Sequence, residues 1–153
     1  MPQEIDEKAL EQFTKLLPEN LQTEGFAYFR HFFEIRRGLF LIQKEKMVLS
    51  SLDVCEWIDL LGQAEKQYYL NTGVDKETDL AAISLSYPLI ICDVQVRVYD
   101  RKFILPVLID GFKRLRKAYL EGLGKLPCYY IEYPLSKLVD INYFNYCDDE
   151  ETD

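Results

Sequence analysis

Histidine is nearly missing: His31, between Arg30 and Phe32, is the only one in 153 residues. A single imidazole leaves little room for a Ser-His-Asp apparatus, and the chain has no G-x-S-x-G, H-E-x-x-H or phosphate-loop signature. Cysteine is sparse and scattered. Cys55, Cys92, Cys128 and Cys147 form no C-x-x-C pair. A structural zinc site normally brings two ligands within a few residues of each other, so this spacing argues against one. The four read as reduced thiols in or near apolar surroundings. No stretch approaches the roughly 18 apolar residues that a membrane span needs. Basic residues are outnumbered, 18 against 26 for a net charge of −8. That balance argues against a surface coated by DNA or RNA, because phosphate neutralisation needs clustered Lys and Arg, yet it leaves room for one local basic site. The opening residues Met1 to Glu7 are acidic where a signal peptide would be basic and then apolar. The expectation is a cytoplasmic protein without a membrane partner.

What the chain does have is apolar and aromatic mass. It is 48% hydrophobic and carries nine Phe, eleven Tyr and one Trp. That is enough to bury a real core, so most of the chain is expected to fold, as one compact domain overall. Ile5, Leu10, Phe13, Leu16 and Leu17 recur at mostly helical spacing within Ile5–Leu17, and Pro18 closes that helix. Between Phe26 and Leu49 the β-branched and aromatic content favours a hairpin. Phe29–Ile35 would pair with Leu39–Gln43 around Arg36-Arg37-Gly38, with a helix over Phe26–Arg36 as the rival. Ser50 to Asp53 reads as a helix N-terminus, the helix running to about Tyr69. Residues 71–80 are polar and acidic and read as a linker. This divides the chain into an N-terminal part, 1–75, of helix, hairpin and second helix, a core, 80–147, and an acidic disordered tail, 148–153.

In the core, Tyr87–Cys92 and Val94–Tyr99 read as strands. Phe103–Ile109 is nearly continuous apolar sequence, as in a strand buried on both faces, although Pro106 argues for an edge or a bulge. Asp110-Gly111 breaks the run, a helix follows from Phe112 to Gly122 or Gly124, and Pro127–Tyr133 forms a further strand. The predicted class is α+β. The triplet of acids Asp53, Glu56 and Asp59 reads as the wet face of a helix, and the aromatic stretch from Tyr129 to Tyr146 as packing.

Charge is unevenly spread. From Arg97 to Lys125 there are eight basic side chains against three acids, a local surplus of five that leaves −13 for the rest. The cations crowd the first turns of the helix after Gly111. Positive side chains there oppose the helix dipole and cost stability unless something negative binds. A strand–glycine–helix start offers unpaired N–H groups and close approach to the backbone. Asp110, Gly111, Phe112, Lys113, Arg114 and Arg116 are therefore the candidate anion-binding residues, with Lys117 adding field and no catalytic residue assigned. On this view Arg114→Ala should leave folding nearly intact while removing phosphate binding.

The run Gly111-Phe112-Lys113-Arg114-Leu115-Arg116-Lys117-Ala118-Tyr119-Leu120-Glu121-Gly122, followed by Leu126-Pro127 and an apolar strand, resembles the second box of the ParB/sulfiredoxin-like superfamily. Partition proteins carry G-E-R-R-x-R-A-A-x-x-x-G there, and shorter ParB-like proteins carry Asp-Gly-x-His-Arg after an apolar strand like Tyr87-Pro88-Leu89-Ile90. The likeness covers roughly residues 85–135. It implies a strand–helix–strand core that binds nucleotide phosphates, with a nucleoside triphosphate and magnesium as the implied cofactor. The chain departs from the family at Phe112, where sulfiredoxins have their cysteine, and at Lys113, which replaces the histidine. A competing class is a small acidic interaction protein, an inhibitor or immunity protein, that engages a basic protein partner.

Overall fold

The computed structural model describes residues 4–59 and 83–142, and the protein is mixed α+β. The described chain forms α1 (Glu7–Lys15), α2 (Glu19–Thr23), β1 (Gly25–Tyr28), β2 (His31–Glu34), α3 (Ile35–Lys44), β3 (Ser50–Asp53) and α4 (Val54–Asp59). Beyond residue 82 come β4 (Leu89–Val98), β5 (Arg101–Asp110), α5 (Phe112–Leu120), β6 (Lys125–Ile131) and a 3-10 turn, Leu135–Leu138. Strands β1 and β2 form a two-stranded sheet, and the other four run in the order β3-β6-β4-β5. The expected linker 71–80, the helix beyond Asp59 and the acidic tail lie outside the described residues.

The chain passes between two compact units. One comprises Met1–Met47, Ile91–Ile109 and Tyr130–Asp153, the other Val48–Ile90 and Asp110–Tyr129. In the first unit α1 starts where Asp6 accepts from Lys8 N–H at 3.1 Å and Ala9 N–H at 3.3 Å, which satisfies first-turn donors. Phe13 of α1 meets Phe40 of α3 edge to face, with ring centroids 5.6 Å apart. Fully buried Leu10, Phe33, Ile35 and Leu41 form part of its centre.

The hairpin lies earlier than the sequence suggested. Gly25–Tyr28 pairs antiparallel with His31–Glu34, and the turn falls at Phe29-Arg30. Arg36-Arg37-Gly38, read as the turn, is instead the first half of α3, and Leu39–Gln43 is helix rather than strand. The physical reason is visible in burial: Ile35, Gly38 and Leu41 go inside at a spacing of three, which only a helix puts on one face. The rival helix over Phe26–Arg36 is also absent. Arg37 reaches Glu34 at 2.8 Å and Glu7 at 3.0 Å, tying α3 to α1.

In the second unit Ser50–Asp53 is a strand, not a helix start, paired antiparallel with Cys128 to Lys125 of β6. The cap expected of the serines falls to Asp53, whose Oδ1 accepts from Glu56 N–H at 2.9 Å as α4 begins. The two strands expected at Tyr87–Cys92 and Val94–Tyr99 are one continuous β4. Strand β5 is an edge, one of the two places Pro106 argued for, but it is not buried on both faces: Val107, Leu108 and Ile109 are buried, whereas residues 101–106 are all exposed. Helix α5 ends on a Schellman motif, with Leu123 N–H on Ala118 C=O at 2.9 Å, Gly122 N–H on Tyr119 C=O at 3.3 Å and φ +72° at Gly122. No helix among the described residues is long and apolar enough to cross a membrane.

Candidate functional site

Strand β5 leads directly into α5 through Gly111, which has φ +107° and is buried. Its conformation belongs to the left-handed half of the map, where an L side chain is strained. Space forbids one as well, because a Cβ would overlap Leu89 Cδ2 at the start of β4. The glycine is thus required twice over, by φ and by the approach of Leu89. Helix α5 buries Leu115 and Ala118 and packs against α4, which leaves Lys113 exposed and Arg116 part-exposed.

Asp110, Gly111 and Arg114 form one connected group. Arg114 Nη2 donates to Asp110 Oδ2 at 3.1 Å, one helical turn back. Its Nη1 donates to Tyr87 C=O at 2.8 Å and Pro88 C=O at 2.7 Å. The guanidinium therefore ties the entry of β4 to the start of α5, and the side chain is only 15% exposed. Burial pushes the Asp110 carboxyl above the usual aspartate range, and Arg114 together with the Gly111 backbone pulls it back only in part. Lys117, a further cation of α5, donates from Nζ to Ile83 C=O at 2.7 Å.

The six predicted residues thus separate by role. Asp110, Gly111 and Arg114 are brought together as a structural clasp. Lys113 and Arg116, three residues apart on one helical face, remain turned toward solvent in whole or part. Phe112 is half-buried. No side chain caps the first turn of α5, and that turn contains no acid. The expectation that Arg114 is a dispensable surface cation is corrected, since three acceptors depend on it.

Sequence reasoning missed two polar clusters in the first unit. His31 Nδ1 lies 2.5 Å from Asp140 Oδ2, both buried. Asp140 Oδ1 also accepts from Phe32 N–H and Asn142 N–H, each at 3.0 Å. The available signal was the alternation of His31 and Phe33 along β2 and the apolar flanks of Asp140, Val139 and Ile141. The second cluster joins the Tyr130 hydroxyl to Asp93 Oδ1, with Tyr133 N–H on Oδ2 at 2.9 Å. Burial, followed by the adjacent Asp93, pushes the Tyr130 phenol up. Cys92 and Cys128 are buried free thiols, and burial raises both, Cys92 strongly; such thiols are poor nucleophiles. Cys55 is free but exposed. Against known proteins, the chain matches no family model, no curated protein and no solved structure.

Proposed function

We propose that the chain binds a phosphorylated small molecule at the Asp110–Arg114 strand-to-helix turn, with a nucleotide as the form implied by the ParB/sulfiredoxin-like resemblance. The observation that carries this reading is the start of α5: a left-handed glycine, a first turn with no side-chain cap and no acid, and cations where the dipole disfavours them. An oxyanion placed there offsets the dipole and the cations together. Lys113 and Arg116 supply the mobile charge, the first-turn amides supply directional donors, and Arg114 acts by holding the turn rather than by leaving its carbonyls. The succession β5–α5–β6 is the order of elements that the resemblance requires.

Asp110 is engaged by Arg114 and by the Gly111 backbone, and no group of three or more metal-ligating side chains occurs among the described residues. The donors at the turn therefore do not make a dedicated metal site; magnesium would enter as the counterion of a nucleotide's phosphates. No general base stands at the turn, so the reading is of binding, without a reaction assigned.

A thermal-shift series with ATP, ADP, AMP and adenosine, each with and without magnesium, tests it. A ligand held at a hundred times its Kd stabilises by about 2.7 kcal/mol, which raises the melting point of a chain this size by roughly 5–10 °C. Phosphorylated members should shift the melt and adenosine should not. No shift by any member, or an equal shift by adenosine, contradicts the proposal.

A further inference from the structure

Helices α1 and α3 of the first unit leave an open cleft between them. Its volume is about 490 Å³, inside the range of small-molecule sites. Helix α1 and its C-cap contribute Ala9, Gln12, Phe13 and Leu16, the i, i+3, i+4, i+7 set of one helical face. Helix α3 contributes Phe40, Gln43 and Lys44. The floor is aromatic, since Phe13 and Phe40 meet edge to face there, their centroids 5.6 Å apart. Leu16 stands at the rim and is 84% exposed. A lone exposed leucine is ordinary. One that borders a cleft floored by two rings is a wall for an apolar guest.

The charge around this cleft has one sign, in a chain whose net charge is −8. Lys44 is the only charged residue in the lining. Its Nζ lies 5.6 Å from the centroid of the Phe40 ring, a cation–π distance, which keeps the ammonium over the aromatic floor. Helix α3, from Ile35 to Lys44, contains no acid. On α1, Gln12 shares its row with Lys8, four residues before it, and Lys15, three after it, both exposed. The acids of α1, Glu7 and Glu11, fall on the far side of the helix at 3.6 residues per turn, and Glu7 is engaged by Arg37.

We propose that the cleft binds a small single-chain amphiphile, an apolar tail with a carboxylate head. The tail lies over Phe13, Leu16 and Phe40. The carboxylate takes the Lys44 ammonium, with the side-chain amides of Gln12 and Gln43 as neutral donors. Charge selects the head: a cationic guest would meet Lys44, Lys8 and Lys15, and a neutral one would leave the ammonium over Phe40 unused. Size selects a small molecule, because seven residues line the cleft, against about 20–30 on each side of a stable protein interface. From Ala9 to Leu16 the helix rises roughly 10 Å, the length of a medium alkyl chain. The cleft shares no residue with the Asp110–Arg114 turn, so this inference stands apart from the phosphate reading.

Titration of the full chain with sodium octanoate below its micelle concentration, followed by calorimetry and by amide NMR shifts, decides it. Sodium acetate and octanol serve as the head and the tail alone. Octanoate should bind and move the amide signals of Ala9–Leu16 and Phe40–Lys44. Acetate should bind at least roughly tenfold more weakly, for want of buried methylenes, and octanol more weakly than octanoate. Lys44→Gln should weaken octanoate roughly three- to fivefold, the range of an exposed ion pair, and leave octanol unchanged. Leu16→Glu, which removes the apolar wall and adds a like charge, should lower octanoate affinity further. Both positions are exposed, and circular dichroism melts check that each variant is folded. Octanoate that fails to bind, or that moves signals only elsewhere, overturns the proposal. So does acetate or octanol binding as tightly as octanoate, or either variant keeping wild-type affinity.

Discussion

The guanidinium of Arg114 donates to the carbonyl of Pro88 at 2.7 Å, across 26 residues of chain. With the neighbouring bond to Tyr87 C=O and the one to Asp110, it converts a residue that reads as a surface cation into the tie that holds the candidate turn. A planar fork can serve three acceptors at once, and a lysine ammonium lacks that geometry. Arg114→Ala should therefore cost about 2–3 kcal/mol in chemical denaturation, because charged donors are lost and partly buried acceptors stay unpaired. Arg114→Lys should recover little of it, and Lys113→Ala should change stability by less than about 0.5 kcal/mol.

Gly111 admits no side chain. Gly111→Ala places a methyl group on Leu89 and a strained φ on alanine, so a loss of about 2–4 kcal/mol is expected from overpacking and backbone strain together. Pairing it with Leu89→Ala removes the overlap but not the strain. The double variant should then be less destabilised than the sum of the two singles, which a double-mutant cycle measures.

Two carboxylates give opposite pH signatures. Burial alone would raise Glu34, but the guanidinium groups of Arg37 and Arg36 outweigh it and hold the carboxyl below its usual range. Its contribution is thus present above the ordinary glutamate value and disappears as pH falls through the depressed one. Asp110 is raised, so its ionisation works against the fold, and stability declines as pH climbs from the ordinary aspartate value through the raised one. Urea midpoints across the acid range should show Glu34→Gln losing stability near neutrality while converging on wild type at low pH. Asp110→Asn should remove the declining component at mildly acidic pH.

Asp140 closes the C-terminal segment onto β2 through His31 and Phe32 N–H, and accepts locally from Asn142 N–H. Asp140→Ala leaves a buried imidazole and backbone donors without their acceptor, for an expected loss of about 3 kcal/mol or more. A melt of this variant within about 0.5 kcal/mol of wild type, the range of an ordinary surface change, would contradict that role.

The parts of the fold that could be read from sequence were those set by local chemistry. Pro18 closes the first helical stretch, Pro106 pointed to an edge or a bulge, and Gly111 and Gly122 bracket α5. The strand-rich stretches Tyr87–Cys92 and Val94–Tyr99 and the apolar run Phe103–Ile109 placed most of β4 and β5. What failed depended on distant partners. Ile35, Gly38 and Leu41 look as much like strand as helix until α1 and α2 are packed against them. Ser50–Asp53 pairs with β6 and so becomes a strand, which no local propensity announces. At the candidate site, residue types and spacing showed the turn and its charge, but not that Tyr87 and Pro88 present carbonyls to Arg114. Those acceptors are backbone atoms, and sequence carries no mark of where a carbonyl points.

The central claim is that the turn before α5 holds an oxyanion. Its most direct measurement is the melting point of the empty protein in low millimolar phosphate against sodium chloride at equal ionic strength, for wild type and Lys113→Ala/Arg116→Ala. At these concentrations exclusion of the anion from the protein surface is negligible, and screening treats matched salts alike. The account predicts that phosphate raises the wild-type melting point above the chloride value and leaves the double variant where chloride leaves it. Identical responses of the two proteins would show the cations of α5 to be a solvated helix face and would contradict the account.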